Sequence, residues 1–269
     1  MTRSALLLSL FLALAASAQD SPLFPRFSVT AGTSSGSFST NARIDPDTGG
    51  GQGTLVSFER DLGLEDAQTL PRLGVQWRPF ARHELAATWF KASRDGLENI
   101  DRDITFRDEV YPVQALVTTA FDLDYASATY TYWLRRSERD GFGLSLGAAR
   151  IALDASVTAD RPGDSVTVTQ QANTDVPVAL IGVQGRVAFT PRIHGEANIA
   201  TLPRVKISDY TGTALIGQAR VELRPWRWLG IGAAYDYFRM DVDVAQVAGL
   251  HGSLDMTIRG PQAYIRLAY

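Results

Sequence analysis

Three histidines and no cysteine stand in 269 residues, and this narrows the available chemistry before any element is assigned. His251 is followed closely by Ser253 and Asp255, the residue types of a base, a nucleophile and an orienting acid. That grouping arises readily in a polar loop and reads as a solvated segment, so no catalytic residue is assigned. His83 and His194 each follow a short turn and have no nucleophile beside them. Asp45, Pro46, Asp47, Thr48 and Gly49 open like a calcium loop, yet Val56 stands at the twelfth position, where such a loop needs a bidentate Glu. Gly49, Gly50, Gly51, Gln52 and Gly53 lack a following Lys-Ser/Thr, so they form a flexible loop tip and not a phosphate cradle. Without cysteine there is neither a disulfide staple nor a thiolate metal site. No metal and no other cofactor is expected. What remains is charge: arginines and carboxylates that recur at every second position, whose use depends on the elements that carry them.

The first of those elements is not part of the fold. Met1 and Arg3 precede an apolar run from Leu6 to Leu14, which closes on Ala16-Ser17-Ala18. This is the order of a secretory signal peptide, too short for a membrane-spanning helix. Cleavage after Ala18 leaves Gln19 first, which is not the Cys of a lipoprotein. Residues 1–18 are therefore read as a signal peptide and 19–269 as one domain, since no Pro-rich or Ser-rich linker divides them. The formal net charge is -3 with both signs interspersed, so no basic surface points to nucleic acid. Mean hydropathy is -0.06, and no second apolar run of about 18 residues exists, which excludes a helical membrane protein. It does not exclude a barrel whose strands alternate apolar and polar residues.

The remainder reads as strand after strand. Leu73, Val75 and Trp77 alternate with Arg72, Gln76 and Arg78; Val221 and Leu223 alternate with Arg220, Glu222 and Arg224; Ile265, Leu267 and Tyr269 alternate with Tyr264, Arg266 and Ala268. A period of two makes a sheet with two unlike faces. Short turns at 79–82, 136–140, 190–192 and 225–227 alternate with longer polar segments at 45–52, 93–108, 160–165, 208–212 and 245–253. Short turns at one end and long loops at the other are the mark of a transmembrane up-and-down β-barrel, with the turns in the periplasm. Trp77, Phe80, Tyr132, Trp133, Phe142, Phe189, Trp226 and Trp228 flank the turns as an interfacial girdle would. A second level toward the loops takes Trp89, Phe121, Tyr125, Tyr235 and Tyr237.

The count is about ten strands, with eight or twelve as alternatives: 27–42, 54–78 (interrupted), 83–94, 113–134, 142–158, 172–189, 193–207, 213–224, 229–244 and 254–269. The segments 54–58 and 104–106 are hairpin extensions or two extra strands. Near their loop ends several strands change character, Tyr235 and Tyr237 giving way to Val242 and Val244, which points to bulges or to strands leaving the membrane.

With apolar residues on lipid, Arg72, Arg78, Arg186, Arg220, Arg224 and Arg266 face inward, together with Glu84, Glu196, Glu222 and Asp236. Confined charges are costly unless paired, so an Arg–carboxylate network is expected across strands, with Glu222 serving Arg220 and Arg224. About eight strands leave only side-chain-filled space, whereas roughly sixteen leave a channel. Ten strands carrying this many arginines should be nearly closed.

The C-terminus resembles the signal read by the barrel-assembly machinery, with Tyr269 terminal and Leu267, Ile265 and Ala263 at alternate positions before it. The stretches 53–64, 77–85 and 103–106, the last followed by Tyr111-Pro112, resemble an uncharacterised proteobacterial outer-membrane β-barrel family. With the C-terminus the likeness covers most of the mature chain. In architecture it is similar to small OmpA-like and OmpW-like barrels. The resemblance implies the fold, the outer membrane with both termini in the periplasm, and lipids, lipopolysaccharide and the assembly machinery as partners; it brings no activity. Barrel enzymes of that membrane use Ser/His or Asp/His sites at the loop end, and His83 and His194 lie at the turn end. The expected function is non-enzymatic, structural or surface-interacting, with a narrow porin-like channel for small or apolar solutes as the alternative. Deleting Tyr269 should lower the amount of folded, heat-modifiable protein in the outer-membrane fraction; unchanged levels would refute the assembly-signal reading.

Overall fold

The computed structural model describes residues 21–45, 53–106, 109–111, 116–160, 167–207, 210–247 and 250–269. The signal segment and the Asp47 to Gln52 loop lie outside them. Ten long strands follow one another antiparallel: β1 (Phe27–Asp45), β3 (Ala67–Phe80), β4 (His83–Asn99), β7 (Leu116–Arg136), β8 (Asp140–Asp160), β9 (Thr167–Ala188), β10 (Ile193–Ile207), β11 (Tyr210–Trp226), β12 (Leu229–Val247) and β13 (Leu250–Ala268). The last pairs with the first from Ser28↔Ala268 to Asp45↔His251. Reciprocal bonds between Phe27 and Tyr269 close the ring, Phe27 N–H donating to the Tyr269 carbonyl at 2.9 Å and Tyr269 N–H to that of Phe27 at 2.7 Å. The short pieces are loop-side additions: β2 (Val56–Ser57) lies on β1, α1 (Phe58–Asp61) is a single helical turn, and β5 (Ile104–Phe106) pairs with β6 (Glu109–Tyr111). The second barrel strand thus begins at Ala67, after an insert, and the ring has ten members.

The strands are far longer than a membrane requires. β7 and β8 have 21 residues and β9 has 22, whereas about 9–11 tilted residues cross the hydrocarbon. Most of the expected loops 208–212 and 245–253 are strand. The change of character near the loop ends has the same origin, and on β12 it is not a bulge, whereas β10 does shift register between Leu202 and Val205. β12 pairs with β13 without interruption from Leu229 to Val244, so the inward phase never changes. What changes is the polarity of each face. Along β13 the outward residues run Tyr269, Leu267, Ile265, Ala263 and Pro261, then Arg259, Thr257 and Asp255; the inward ones run Arg266, Tyr264 and Gln262, then Ile258, Met256 and Leu254. β12 does the same, with Tyr235 outward and Asp236 inward below, and Arg239 outward and Phe238 and Met240 inward above.

Each strand therefore meets two solvents. The turn half is apolar outside and polar inside, as hydrocarbon demands. Exposed Leu73, Val75, Leu144, Leu146, Ile181, Val221, Ile231 and Ile265 make its outer belt, and Trp77, Phe80, Phe142, Phe189, Trp226 and Trp228 its turn-side rim. The loop half is built like a water-soluble barrel. Its outer face carries cross-strand ion pairs, Arg150–Asp175 at 2.7 Å and Arg239–Asp255 at 2.9 Å. Its interior is an apolar core that includes Phe38, Leu70, Phe90, Phe121, Leu123, Tyr125, Ile151, Phe238, Met256 and Ile258. Phe121 and Tyr125 accordingly point inward, not to the girdle, and so does Trp133.

The insert between β1 and β3 closes this core. Phe58, Leu62 and Leu64 are buried against it, the Phe58 ring meeting that of Phe121 edge-on at 5.6 Å. Pro71 marks where the β3–β4 ladder ends, since that pairing runs only from Arg72 to Phe80. Above it Leu64 bridges to Gly96, where any Cβ would sit 2.6 Å from the Leu62 carbonyl oxygen. Arg94 pins the insert from inside, donating to Glu59 Oε1 at 2.6 Å and Thr40 Oγ1 at 3.0 Å.

The polarity inversion is testable by arginine scanning of the outward face. Ile265→Arg should destabilise the barrel by about 2–4 kcal/mol, the cost of a cation in the hydrocarbon. Thr257→Arg, eight residues along the same face, should cost close to nothing. Urea unfolding in detergent or lipid, followed by gel mobility, reads both; equal costs would refute the two-solvent arrangement.

Candidate functional site

The turn half of the lumen holds the densest polar cluster, and the register builds it. Glu196 on β10 stands directly opposite Arg186 on β9 and Arg220 on β11, so its carboxylate is flanked by a guanidinium on each side. Arg220 pairs with Glu196 Oε1, and Arg186 Nε lies 3.3 Å from Oε2. Gln184 donates to the same carboxylate at 2.5 Å, and Arg266 approaches it from β13 at 3.7 Å. Arg186 also reaches across β8 and β7 to Glu84 on β4, a two-pronged pair at 2.6 and 2.9 Å. Glu84 accepts a further bond from the Trp133 indole N–H at 3.2 Å. Glu222 on β11 takes Arg224 at 2.5 Å and Arg266 at 3.3 Å. All these side chains are buried except Gln184 and Arg220, which are half-buried.

Glycines on the inward phase supply the room. A Cβ on Gly230 would sit 2.6 Å from the Glu222 carboxyl carbon, and one on Gly141 would sit 2.4 Å from the Phe24 ring. That ring belongs to the segment before β1. Leu23 and Phe24 fold back into the turn-side mouth, and Phe24 is 0 % exposed. It meets Trp133 edge-on at 4.9 Å and lies beneath the guanidiniums of Arg136 and Arg186. Arg78 Nη2 donates to the Phe24 carbonyl at 2.7 Å, and Arg224 donates to the Pro22 carbonyl.

The residues named from sequence thus divide in three. Glu84, Arg186, Glu196, Arg220, Glu222, Arg224 and Arg266 form one continuous network. Arg72 and Asp236 pair separately at 3.3 Å, toward the middle of the barrel, where Arg72 stacks over Phe90 and Asp236 accepts from Gln218 at 2.7 Å. Arg78 holds the N-terminal segment through the Phe24 carbonyl. Arg220 takes its direct ion pair from Glu196, not from Glu222, because register places Glu196 opposite it while Glu222 faces His194. Leu23, Phe24 and Trp133 were missed as parts of the site. An apolar Leu23-Phe24-Pro25 triplet ahead of the first alternating strand was the available signal for the first two.

Between network and apolar core lies a thinner layer. Thr30, Gly32, Gly74, Ala86, Thr88, Ser127, Thr129, Ser145, Gly147, Gly182 and Asn198 face inward with small or neutral side chains. They are half-exposed, and Thr88 more so, although the layers above and below are buried. Space therefore remains inside the barrel at this level, with Thr88 and Ser127, cross-strand neighbours on β4 and β7, sharing a hydroxyl bond of 2.7 Å on its wall.

The histidines are dispersed. His83 points outward at a turn, 2.6 Å from the Tyr130 hydroxyl. His194 is buried beside the network. The backbone of His251 pairs with Asp45, and its side chain lies outside the described residues. Asp45 accepts from Arg43 at 2.9 Å and from the Gly53 N–H at 2.8 Å.

No protein-family model and no curated protein matches the sequence. Solved structures do. The outer-membrane protease OmpT of Escherichia coli superposes with a TM-score of 0.59 at 9 % identity, covering 90 % of this chain and 96 % of that one. The translocator domain of the autotransporter NalP from Neisseria meningitidis gives 0.43 at 10 % identity, over 99 % and 95 % of the two chains. Ail of Yersinia pestis gives 0.31 at 10 % identity, over 89 % and 98 %. The OmpT match shows a shared outer-membrane barrel fold; the lower scores add no argument.

Removing one partner of a buried ion pair costs about 3–5 kcal/mol, because the other charge is left behind. Glu196→Ala should fall in that range and exceed Glu222→Ala, since Glu196 serves three arginines and Glu222 two. Urea midpoints of the two variants decide it, and the reverse order would refute Glu196 as the centre of the network.

Proposed function

We propose that the chain is exported by a signal peptide at 1–18, and that residues 19–269 form an outer-membrane barrel with both termini in the periplasm. Its role is structural or surface-interacting and not enzymatic, with a lumen that does not conduct. The observation that carries this reading is closure by two unlike materials in series. The Arg–Glu network and Phe24 fill the periplasmic half, and an apolar core capped by α1 fills the half above it. A solute would have to separate paired charges and then cross packed hydrocarbon. The same core supports a non-enzymatic role, because among the described residues it fills the interior of the loop half with apolar side chains. The outward polar wall of the loop half projects beyond the belt and offers a surface to the exterior. Lipids and lipopolysaccharide surround the belt, and the assembly machinery reads Ile265, Leu267 and Tyr269 during insertion.

A second reading, a narrow channel for small or apolar solutes, draws on the half-exposed middle layer around Thr88 and Ser127. It requires both closures to move. Planar-bilayer recording separates the two: the unaltered protein should give no steady porin-like conductance, and large, stable channels would replace the closed-barrel reading with the channel.

A further inference from the structure

We infer that the turn-side network encloses a binding site for one small monovalent anion of halide size, bounded by Tyr264, His194, Arg224 and Arg266. The protein forms a cavity of about 10 Å³ there, closed on one side by Leu23. That is room for a single water or halide and excludes phosphate or a carboxylate. Six atoms on its lining residues have no hydrogen-bond partner in the protein; the Nε atoms of Arg186, Arg220 and Arg266 and Glu222 Oε2 belong to ion-paired side chains, which leaves the Tyr264 hydroxyl and His194 Nδ1. The residues are 3 % and 6 % exposed, so water at the surface does not satisfy them.

Charge decides between the two occupants. Arg186, Arg220, Arg224 and Arg266 line the cavity against Glu196 and Glu222. Glu84 pairs with Arg186 from behind, so four cations meet three carboxylates and one positive charge is left over among these seven side chains. Excess buried charge is costly, and an anion at the centre removes the excess where a water cannot. The donors are of the right kind: a phenol O–H, an imidazole that can carry its proton on Nδ1, and guanidinium N–H groups. The two carboxylates oppose an anion; Glu196 is engaged by Arg220 and Glu222 by Arg224, while Glu222 Oε2 accepts no hydrogen bond and is offset by Arg266 Nε at 3.3 Å. Leu23 and Phe24 lie between the cavity and the periplasmic mouth, so exchange should be slow.

Crystals of the full-length mature protein grown in bromide should show an anomalous peak between Tyr264, His194 and Arg266. Unfolding in urea should be halide-selective: bromide at about ten times its Kd should favour the folded state roughly tenfold over methanesulfonate of equal concentration, which is too large to enter. Tyr264→Phe, which removes a donor and strands no charge, should lower the bromide occupancy and this selectivity. If that variant does not fold, the peak in the unaltered protein decides alone. Absence of the peak, with an ordered water only, overturns the proposal. The outcome is separate from conductance: a silent barrel without bromide refutes the anion site alone, and a conducting barrel with bromide refutes the closed lumen alone.

Discussion

The β13–β1 ladder is the constraint from which the rest follows. A sheet in hydrocarbon cannot leave an edge, because each unpaired N–H or C=O would lie in a medium with nothing to bond. Closure through the reciprocal bonds of Phe27 and Tyr269 fixes the ring at ten members and every register within it. Register then decides chemistry. It is why Glu196 sits between Arg186 and Arg220, and why Arg220 is paired within the network while Glu222 turns to Arg224 and Arg266.

A ring of strands about twice the needed length must satisfy two environments with one unbroken alternation. The chain does so by exchanging which phase is apolar, near Gly260 on β13 and near Tyr237 on β12, with no change of register. Below the exchange, lipid takes the apolar face and the lumen must accommodate charge. Above it, water takes the polar face and the lumen becomes an ordinary hydrophobic core. The filled interior of the loop half is thus a consequence of strand length, since an apolar interior in water collapses around its own side chains.

The polar half needs its own solution, because buried charges help only when their geometry is complete. Three features complete it. Glycines on β8 and β12 clear space for Phe24 and Glu222, the N-terminal segment supplies carbonyls to Arg78 and Arg224, and Trp133 gives Glu84 a donor from the side. Where neither charge nor apolar bulk is available, around Thr88 and Ser127, space remains. The interior therefore has two packed layers with a less filled polar layer between them.

Much of this was legible along the chain. Alternation over ten segments, turns bearing aromatics and the closing Tyr269 determined a transmembrane barrel, because period two has only one geometric meaning and lipid tolerates only one polarity. The same alternation placed the arginines and glutamates of the turn half on one face. It could not say which pairs meet, since Arg186 and Glu84 are brought together across the lumen from strands three apart. It also misplaced Phe121, Tyr125 and Trp133, whose aromatic type suits a girdle and a core equally well. The insert that carries α1 and the inward fold of Leu23 and Phe24 were beyond it, because neither has a period. Only the closed ring, with a mouth of fixed width at each end, gives such short apolar segments somewhere to be buried.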